Sequence, residues 1–298
     1  MHPTFSVVIP TRDRFPQLAV CLEALAVQDF PREKFEVIVV NDGSRSPVPV
    51  SINSFQDRLN LTIANRAESN GPSVARNCGG KTARGEFLAF TDDDCTPAPD
   101  WLSRLADRLV ASPNQLIGGR VINALTRNSY STAAHVILDV VYQHYDPARD
   151  RAHFFPTSNI ALAAENFREM AGFDEAWPLA AAEDREFCYR WLKRGWEMAY
   201  APEAIVYHHH ALSLRSFCSL HFKYGRGAYH YHQLRAGGPG QGGLKPDWKF
   251  YWACVRYPFA HFGIGRAAGA AALMLLWQGA NAAGYFWQRF VADEQNGP

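Results

Sequence analysis

The sequence has almost no excess of charge of either sign. Its 298 residues include 30 Lys or Arg and 29 Asp or Glu, so the formal net charge is +1. A surface that binds a polyanion normally needs a marked basic excess, and the balance therefore gives no indication of a nucleic acid as partner. The length leaves room for one large domain, or for one domain with an appendage.

The six cysteines form neither a CxxC pair nor the interleaved spacing of a metal-binding finger. Dispersed cysteines of this kind are expected to be free thiols in a reducing cytosol. The first residues, MHPTFSVVIP, also lack the charged start and the apolar core of a signal peptide. We therefore expect this part of the protein to be cytoplasmic.

Short apolar runs alternate with helical patterns over the first hundred residues. This alternation predicts an α/β fold with a doubly wound, mostly parallel sheet. The predicted strands are Phe5–Ile9, Phe35–Val40, Leu59–Ala64, Phe87–Phe90, Leu116–Asn123, Ser158–Ala163, Met198–Tyr200 and Ala204–Tyr207. The predicted helices are Phe15–Gln28, Val74–Thr82, Trp101–Val110, Ser129–Tyr145 and Ala181–Arg194, with a polar connection over residues 149–156.

Three consecutive carboxylates, Asp92, Asp93 and Asp94, follow the apolar run Phe87–Phe90. Open α/β sheets bind ligands at the C-terminal ends of their strands. Adjacent carboxylates repel one another unless a cation lies among them, and oxygen ligands suit Mg²⁺ or Mn²⁺ with a substrate phosphate. The alternative is a solvated acidic turn before the helix that begins near Pro99.

The composition changes after residue 212. Residues 213–235 are predicted to form a basic and aromatic helix, 237–243 are rich in glycine, and 248–290 are aromatic, alanine-rich and mostly apolar. In the first segment Phe217, Leu220, Tyr224 and Tyr231 interleave with basic residues, a pattern that suits an anionic membrane interface or packing on the catalytic domain. Between Arg266 and Arg289 lie 22 uncharged residues, enough for a single span, although their hydropathy is marginal. We expect a catalytic domain over 1–212 and a helical region over 213–298, attached to the membrane surface.

Several blocks of residues follow one another in a recognisable order. They are Val8-Ile9-Pro10-Thr11 with Arg14, Val39-Val40-Asn41-Asp42-Gly43-Ser44, Gly71 with Ala75-Arg76-Asn77 and Gly79, Asp92-Asp93-Asp94, Gly172-Phe173-Asp174-Glu175, and Glu183-Asp184 followed by Arg190 and Gly195. Together they resemble the GT-A glycosyltransferases of family 2, over about residues 4 to 210. The resemblance implies the GT-A fold of nucleotide-diphospho-sugar transferases, a mixed and mostly parallel sheet with a C-terminal helical appendage.

In such enzymes the nucleotide sugar lies across the C-terminal ends of the first strands. The resemblance implies that Asp42 accepts a hydrogen bond from the base or ribose, and that Pro10, Thr11 and Arg14 line the base pocket. Arg76 is implied to meet the base or the phosphate side. The alternative for Asp42 is a turn-forming role without a ligand.

The resemblance also implies a metal site. Asp92 and Asp94 match the two acids of the family's DxD motif, with Asp93 between them. Asp94 would bind the Mn²⁺ or Mg²⁺ that bridges the diphosphate, and Asp92 would contact the ribose, or the metal through water. His208 is a candidate for a further metal or diphosphate ligand. The ion is needed because a nucleoside diphosphate leaves, and its growing charge must be neutralised.

Asp184 matches the residue that takes the proton of the acceptor hydroxyl in an inverting transfer, and Glu183 would hold the acceptor or orient the loop. Both lie in the first turn of a predicted helix, where backbone amides favour ionised carboxylates. The alternative is a helix cap with a dipole-complementing acid. The expected enzyme transfers a sugar from a nucleotide-diphosphate donor to a hydroxyl of a lipid or glycan of the cell envelope.

The sequence lacks the Gln-x-x-Arg-Trp block of family 2 polymerases, which predicts a single transfer instead of chain growth. Two alternatives remain. A catalytically silent sugar-nucleotide-binding protein would be expected to have lost Asp94 or Asp184, and both are present. A nucleotidyltransferase would usually carry a glycine-rich loop after the first strand, where this chain has Pro10-Thr11-Arg12-Asp13-Arg14.

Overall fold

The structure is a computed structural model that describes residues 3–145, 154–177, 179–237 and 247–295. The described residues fall into two compact units. The first takes its residues from 1–124, 150–177 and 184–209, and the second from 125–149, 178–183 and 210–298. The predicted connections over 149–156 and 237–243 lie outside the described residues, except for 154–156 and Gly237.

Strands and helices account for most of the described chain. The strands are β1 (Phe5–Thr11), β2 (Phe35–Asp42), β3 (Leu61–Arg66), β4 (Phe87–Phe90), β5 (Cys95–Pro97), β6 (Leu116–Asn123), β7 (Ile160–Ala163) and β8 (Met198–His208). The helices are α1 (Phe15–Ala26), α2 (Val50–Asn53), α3 (Pro72–Thr82), α4 (Trp101–Ala111), α5 (Ser129–Tyr145), α6 (Ala164–Glu169), α7 (Glu183–Lys193), α8 (Leu214–Ala236), α9 (Trp248–His261) and α10 (Ile264–Gln295).

The first unit is built on one eight-stranded sheet with the order β3-β2-β1-β4-β7-β6-β8-β5. Strands β3, β2, β1 and β4 are parallel. Strand β7 is antiparallel to β4 and β6, β6 is parallel to β8, and β5 is antiparallel to β8. The predicted mixed, mostly parallel sheet is thus confirmed. Since parallel strands end at the same edge, the residues that close β1, β2 and β4 come to one edge of the sheet.

Successive residues of β1 face opposite sides of the sheet, as the period of a strand requires. Val7 belongs to the buried cluster that includes Leu22 of α1 and Trp101 of α4. Val8 faces α3 on the other side, where a Cβ on Gly79 would lie 2.3 Å from its Cγ1. Glycine at position 79 therefore lets α3 lie close against the sheet that carries the candidate site.

Two strands differ from the sequence prediction. β8 is continuous from Met198 to His208, where two short strands were predicted, and it passes Pro202 through a register shift opposite Gly119 and Arg120. The irregularity accommodates a proline, which has no N–H to donate to the ladder. β5 has three residues, too few to show a period, and the prediction missed it.

The second unit packs α5, α8, α9 and α10 around an aromatic cluster. Phe217 of α8 is completely buried in this cluster, with Phe250 of α9 and Trp277 of α10. Phe217 is thus internal, whereas Tyr224, seven residues later on the same side of α8, is 43% exposed. Helix α5, which the sequence placed within the catalytic domain, belongs to this unit. The division at residue 213 stays a prediction.

Helices α8 and α10 approach to backbone contact. A Cβ on Gly225 would lie 1.9 Å from the carbonyl oxygen of Asn281, and one on Gly284 would lie 2.0 Å from that of Phe222. No side chain fits at either position, so the two glycines are what allow the helices to cross so closely. Among the described residues, none of the helices combines the length and the hydropathy needed to cross a bilayer, and this includes α10, for which the sequence left a span open.

Candidate active site

The three carboxylates lie on the connection between β4 and β5, at the C-terminal end of β4. Asp93 is completely buried, Asp94 is nearly so, and Asp92 is half-buried. The alternative of a solvated acidic turn is therefore not supported. Each of the three carboxylates faces a cationic side chain, described below.

Arg14, just after β1, pairs with two of the acids. Its Nη1 donates to Asp94 Oδ2 at 2.9 Å, and its Nε donates to Asp93 Oδ2 at 3.1 Å. Its Nη2 also contacts the other oxygen of Asp93. The Thr11 hydroxyl donates to Asp93 Oδ2 at 2.7 Å. Thr11 and Arg14 thus hold the acidic connection against the end of β1.

Arg14 and Thr11 offset part of the cost of burying the Asp93 carboxylate. Burial raises the pKa of the Asp93 carboxyl to about 7, and the negative charges of Asp94 and Asp92 add to the rise. Arg14 and the Thr11 hydrogen bond act in the opposite direction. Opposite charge and hydrogen bonding are the two effects that keep a buried carboxyl ionised.

Arg76, on α3, pairs with Asp92, the third of the three acids. Its Nη2 donates to Asp92 Oδ1 at 2.9 Å, and the Arg76 side chain is 5% exposed. The guanidinium also lies 5.7 Å from the centre of the Phe173 ring.

Asp42 ends β2 and is buried in a separate group. Its Oδ2 accepts a hydrogen bond from the Ser69 hydroxyl at 2.7 Å, and its Oδ1 lies 3.2 Å from Nε of Arg66 as an ion pair. Arg66 stands opposite Asp42 in the β2–β3 register. The sequence prediction missed Arg66 and Ser69, because it ended the third strand at residue 64.

His208 ends β8 and faces Asp94. Its Nε2 lies 3.2 Å from Asp94 Oδ1. Burial lowers the pKa of His208, but the hydrogen bond and charge of Asp94 outweigh it, so the pKa lies above its ordinary value. One ligand atom from each of Asp94, Cys95 and His208 lies within 4.8 Å of the others. His209 instead contacts the Thr96 hydroxyl at 2.9 Å.

Asp184 lies in the first turn of α7, after Ala182, whose φ of 65° is unusual for a residue with a side chain. Burial raises the pKa of the Asp184 carboxyl, while the charges of Arg185 and Arg76 and the backbone N–H of Arg185 lower it. The net shift is upward. The sequence prediction for the ionisation of Asp184 rested only on its position at a helix N-terminus, which favours the ionised carboxylate. Glu183 is the first residue of α7 and is half-buried.

Two polar side chains fix the loop at residues 172–175. The Asn77 amide donates to the Phe173 carbonyl at 2.8 Å and accepts from the Phe173 N–H at 2.8 Å. Arg190 of α7 donates to the Gly172 carbonyl at 2.9 Å and pairs with the buried Glu186. These residues connect α3, the loop and α7, and their contacts could not be found from spacing alone.

The structure thus brings together Thr11, Arg14, Asp92, Asp93, Asp94 and His208 around the end of β4. Arg76 links Asp92 to Asp184, because it contacts the first and its charge acts on the second. Pro10 precedes Thr11 in β1 and is half-buried. Asp42 lies on the neighbouring strand within its own ion pair.

Two family models match this chain. The one described as Glycosyl transferase family 2 matches residues 6–164, and the one described as Glycosyl transferase family group 2 matches residues 87–288. The pre-mycofactocin glycosyltransferase of Mycobacterium tuberculosis is 28% identical over 232 residues, which is 76% of this chain and 47% of that protein. The chain therefore spans about half the length of that relative.

Solved structures show the same fold. The mannosyltransferase PcManGT from Pyrobaculum calidifontis, in complex with GDP-Man and Mn²⁺, has a TM-score of 0.66 at 18% identity, over 100% of this chain and 89% of that one. TarS 1-349 from S. aureus, in complex with UDP-GlcNAc, has a TM-score of 0.55 at 17% identity, over 98% and 92%. The fold is that of the GT-A glycosyltransferases, as the sequence predicted. Since a family model covers more than half of the chain, including the candidate site up to the acidic connection, this protein belongs to glycosyltransferase family 2.

Proposed function

We propose that this glycosyltransferase uses Mn²⁺ or Mg²⁺ to move a sugar from a nucleotide-diphosphate donor to a hydroxyl acceptor, with inversion at the anomeric carbon. The acceptor class is a lipid or glycan of the cell envelope, and each encounter transfers one sugar. The neighbours solved with GDP-Man and Mn²⁺ and with UDP-GlcNAc support the donor class. We also place the enzyme at the cytoplasmic face of a membrane, as a peripheral protein.

One observation carries the proposal. Arg76 contacts Asp92 at 2.9 Å, and its positive charge also acts on Asp184, which is the acid with the raised pKa at the start of α7. A phosphate-side acidic cluster and a separate carboxylate are the two parts that a single displacement requires. Candidates for both lie within the same compact unit, and this supports the proposal.

The donor set fits a hard divalent cation. Asp94 offers carboxylate oxygen and His208 offers imidazole nitrogen, which Mn²⁺ and Mg²⁺ sites tolerate. Burial and the neighbouring carboxylates raise the pKa of the Cys95 thiol well above its ordinary value. Sulfur is also a softer ligand than Mn²⁺ or Mg²⁺ prefers. Asp94 and His208 would hold the ion. Asp92 would contact the ribose, or would contact the metal through a water molecule. When bound, the ion neutralises the charge that develops on the nucleoside diphosphate.

The nucleotide would lie along the ends of β1 and β2. Asp42 is oriented by Ser69 and Arg66, and would accept a hydrogen bond from the base or ribose. Pro10, Thr11 and Arg14 would line the base pocket, and Arg76 would meet the phosphate side. Arg14 holds Asp93 and Asp94 together, which keeps the acidic connection in one arrangement.

Asp184 is proposed as the base. A carboxylate whose pKa is raised binds a proton more readily than a fully solvated one, which is the property that proton removal from an acceptor hydroxyl demands. The proton passes from the hydroxyl to the Asp184 carboxylate as the new glycosidic bond forms and the bond to the diphosphate breaks. Glu183 would orient the acceptor beside it.

The decisive experiment replaces Asp184 with Asn, which keeps the shape and removes the base. Donor and metal binding should stay near wild type, while transfer falls by roughly 10² to 10⁴, the usual contribution of a positioned general base. Asp107→Asn, at an exposed carboxylate on α4, is the matched control and should transfer normally. Wild-type transfer by the Asp184 variant would place the base elsewhere, and retained configuration by NMR would exclude a single displacement.

The metal requirement has its own test. Asp94→Ala should abolish Mn²⁺ binding measured by calorimetry, because it removes the carboxylate that faces both Arg14 and His208. The Asp107→Asn control should bind Mn²⁺ as wild type does. Full turnover in excess EDTA would contradict the metal-dependent mechanism.

A further inference from the structure

Helix α10 presents an apolar surface on the side that faces away from its packing partners. Met274 and Trp277 are buried within the second unit, whereas the exposed positions between residues 268 and 287 carry only Ala, Gly, Leu, Phe and Trp. Leu275, Phe286 and Trp287 are 58%, 50% and 55% exposed. The exposed positions recur at helical spacing, so they form one continuous stripe along the helix.

Helix α9 repeats this arrangement. Phe250 and Cys254 are buried, while Trp248, Trp252 and Phe259 are 75%, 61% and 54% exposed. Their spacing of four and seven residues places them on one side of the helix. Two successive helices in the same unit therefore each leave large aromatic side chains in solvent. Single exposed apolar residues need no explanation, but contiguous patches mark interaction surfaces.

Basic residues predominate in this region. Between residues 210 and 295 the sequence has nine Lys or Arg and three acids, Asp247, Asp293 and Glu294, in a chain whose net charge is +1. Asp293 lies 3.8 Å from Arg289 at the C-terminal end of α10. Lys249 and Arg256 are exposed on α9, and Arg266 and Arg289 are exposed on α10. A basic rim beside an apolar stripe complements a surface that is anionic outside and apolar beneath.

We propose that the exposed apolar stripes of α9 and α10 insert into the interfacial layer of a bilayer that contains anionic phospholipid. Tryptophan favours this layer, where an apolar ring body and a polar N–H are both accommodated. The contact lies in the plane of the interface, in agreement with the absence of a bilayer-crossing helix among the described residues. Phe217, one of the α8 residues for which the sequence suggested the same role, is buried, whereas Tyr224 is 43% exposed.

The proposed function includes peripheral attachment to a membrane, and this inference names the surface that makes the contact. It rests on the proposed function only in taking a membrane as the partner. Its test needs neither donor nor acceptor, so a failure of sugar transfer and a failure of lipid binding can be told apart. The full-length protein is mixed with vesicles of phosphatidylcholine alone, or of equal parts phosphatidylcholine and phosphatidylglycerol, and floated through a density gradient. Wild type should float with the anionic vesicles, and added salt should weaken the binding.

The test variant is the double substitution Trp287→Ser and Phe290→Ser, at two exposed side chains of α10. It should lower the partition coefficient for anionic vesicles about tenfold or more, because two large apolar groups no longer leave water. The matched control is Val20→Ser with Val110→Ser, at exposed apolar positions of α1 and α4, and it should float like wild type. Circular dichroism and nucleotide binding should be unchanged in both.

Three results would overturn the inference. One is equal flotation of the α10 variant and wild type, and another is equal binding to neutral and anionic vesicles. The third is a dimer in light scattering that the α10 variant converts to monomer, together with no vesicle binding, since the stripe would then be covered by a second copy of the chain.

Discussion

Acidification should destabilise the protein through His221, a histidine on α8 that the proposed chemistry does not use. Its side chain is 2% exposed, and neither ring nitrogen has a hydrogen-bond partner among the described residues. The rings of Phe217, Tyr224 and Trp277 surround it. Burial lowers the pKa of His221 to about 4, and the positive charge of nearby His210 contributes to the shift.

The sign and size of the effect follow from proton linkage. In the unfolded chain His221 binds a proton as the pH falls through about 6.5, whereas in the folded protein it stays neutral until about 4. The unfolded state therefore binds more protons in this window, and stability falls as the pH falls. The full loss is about 3 kcal/mol below pH 4, and about 2.5 kcal/mol is lost by pH 4.5.

The assay is urea unfolding at pH 7 and at about pH 4.5, followed by circular dichroism. His221→Phe keeps a ring in the aromatic cluster and removes the proton site, so its loss of stability between the two pH values should be smaller than that of wild type by about 2 kcal/mol or more. His261→Phe, at an exposed position of α9, should behave as wild type. An identical pH dependence for His221→Phe and wild type would refute the reasoning.

Two further predictions concern the nucleotide site and the crossing of α8 and α10. Asp42→Ala should weaken donor binding by about 1 to 3 kcal/mol, the cost of leaving a polar ligand group unpaired, and unchanged affinity in calorimetry would contradict the assignment of Asp42. Gly284→Ala should lower the free energy of unfolding by about 1 to 3 kcal/mol, since its Cβ would lie 2.0 Å from the Phe222 carbonyl oxygen. Gly279→Ala on the same helix has no neighbour within 4 Å and is the control; equal stability of the two variants would show that the helices simply move apart.

The position of the candidate site could be predicted because it depends on strand ends, and strands are the elements that a short sequence pattern reveals best. Phe87–Phe90 is a buried strand as predicted, and this placed the three carboxylates at the edge where ligands bind. The family resemblance also indicated Arg76, and helix α3 places this residue beside Asp92. The roles of the residues taken from the resemblance stay predictions.

Other features could not be read from the sequence because they depend on tertiary contacts. An apolar face at helical spacing predicts a buried stripe, but it does not say what covers it, and Phe217 proves to be internal. β5 was missed because three residues show no period. For Asp184 the helix N-terminus was visible in the sequence, whereas the burial that raises its pKa was not.

The short connection between β4 and β5 has a consequence for ligand binding. Only residues 91–94 separate the two strands, and backbone hydrogen bonds join Thr91 to Val8 and Asp94 to His209. Such a segment has few alternative conformations. The chain entropy that is lost when the three carboxylates are brought together is therefore lost on folding, before any ligand binds. The divalent cation proposed above would then meet a preorganised array and bind with little further loss of chain freedom.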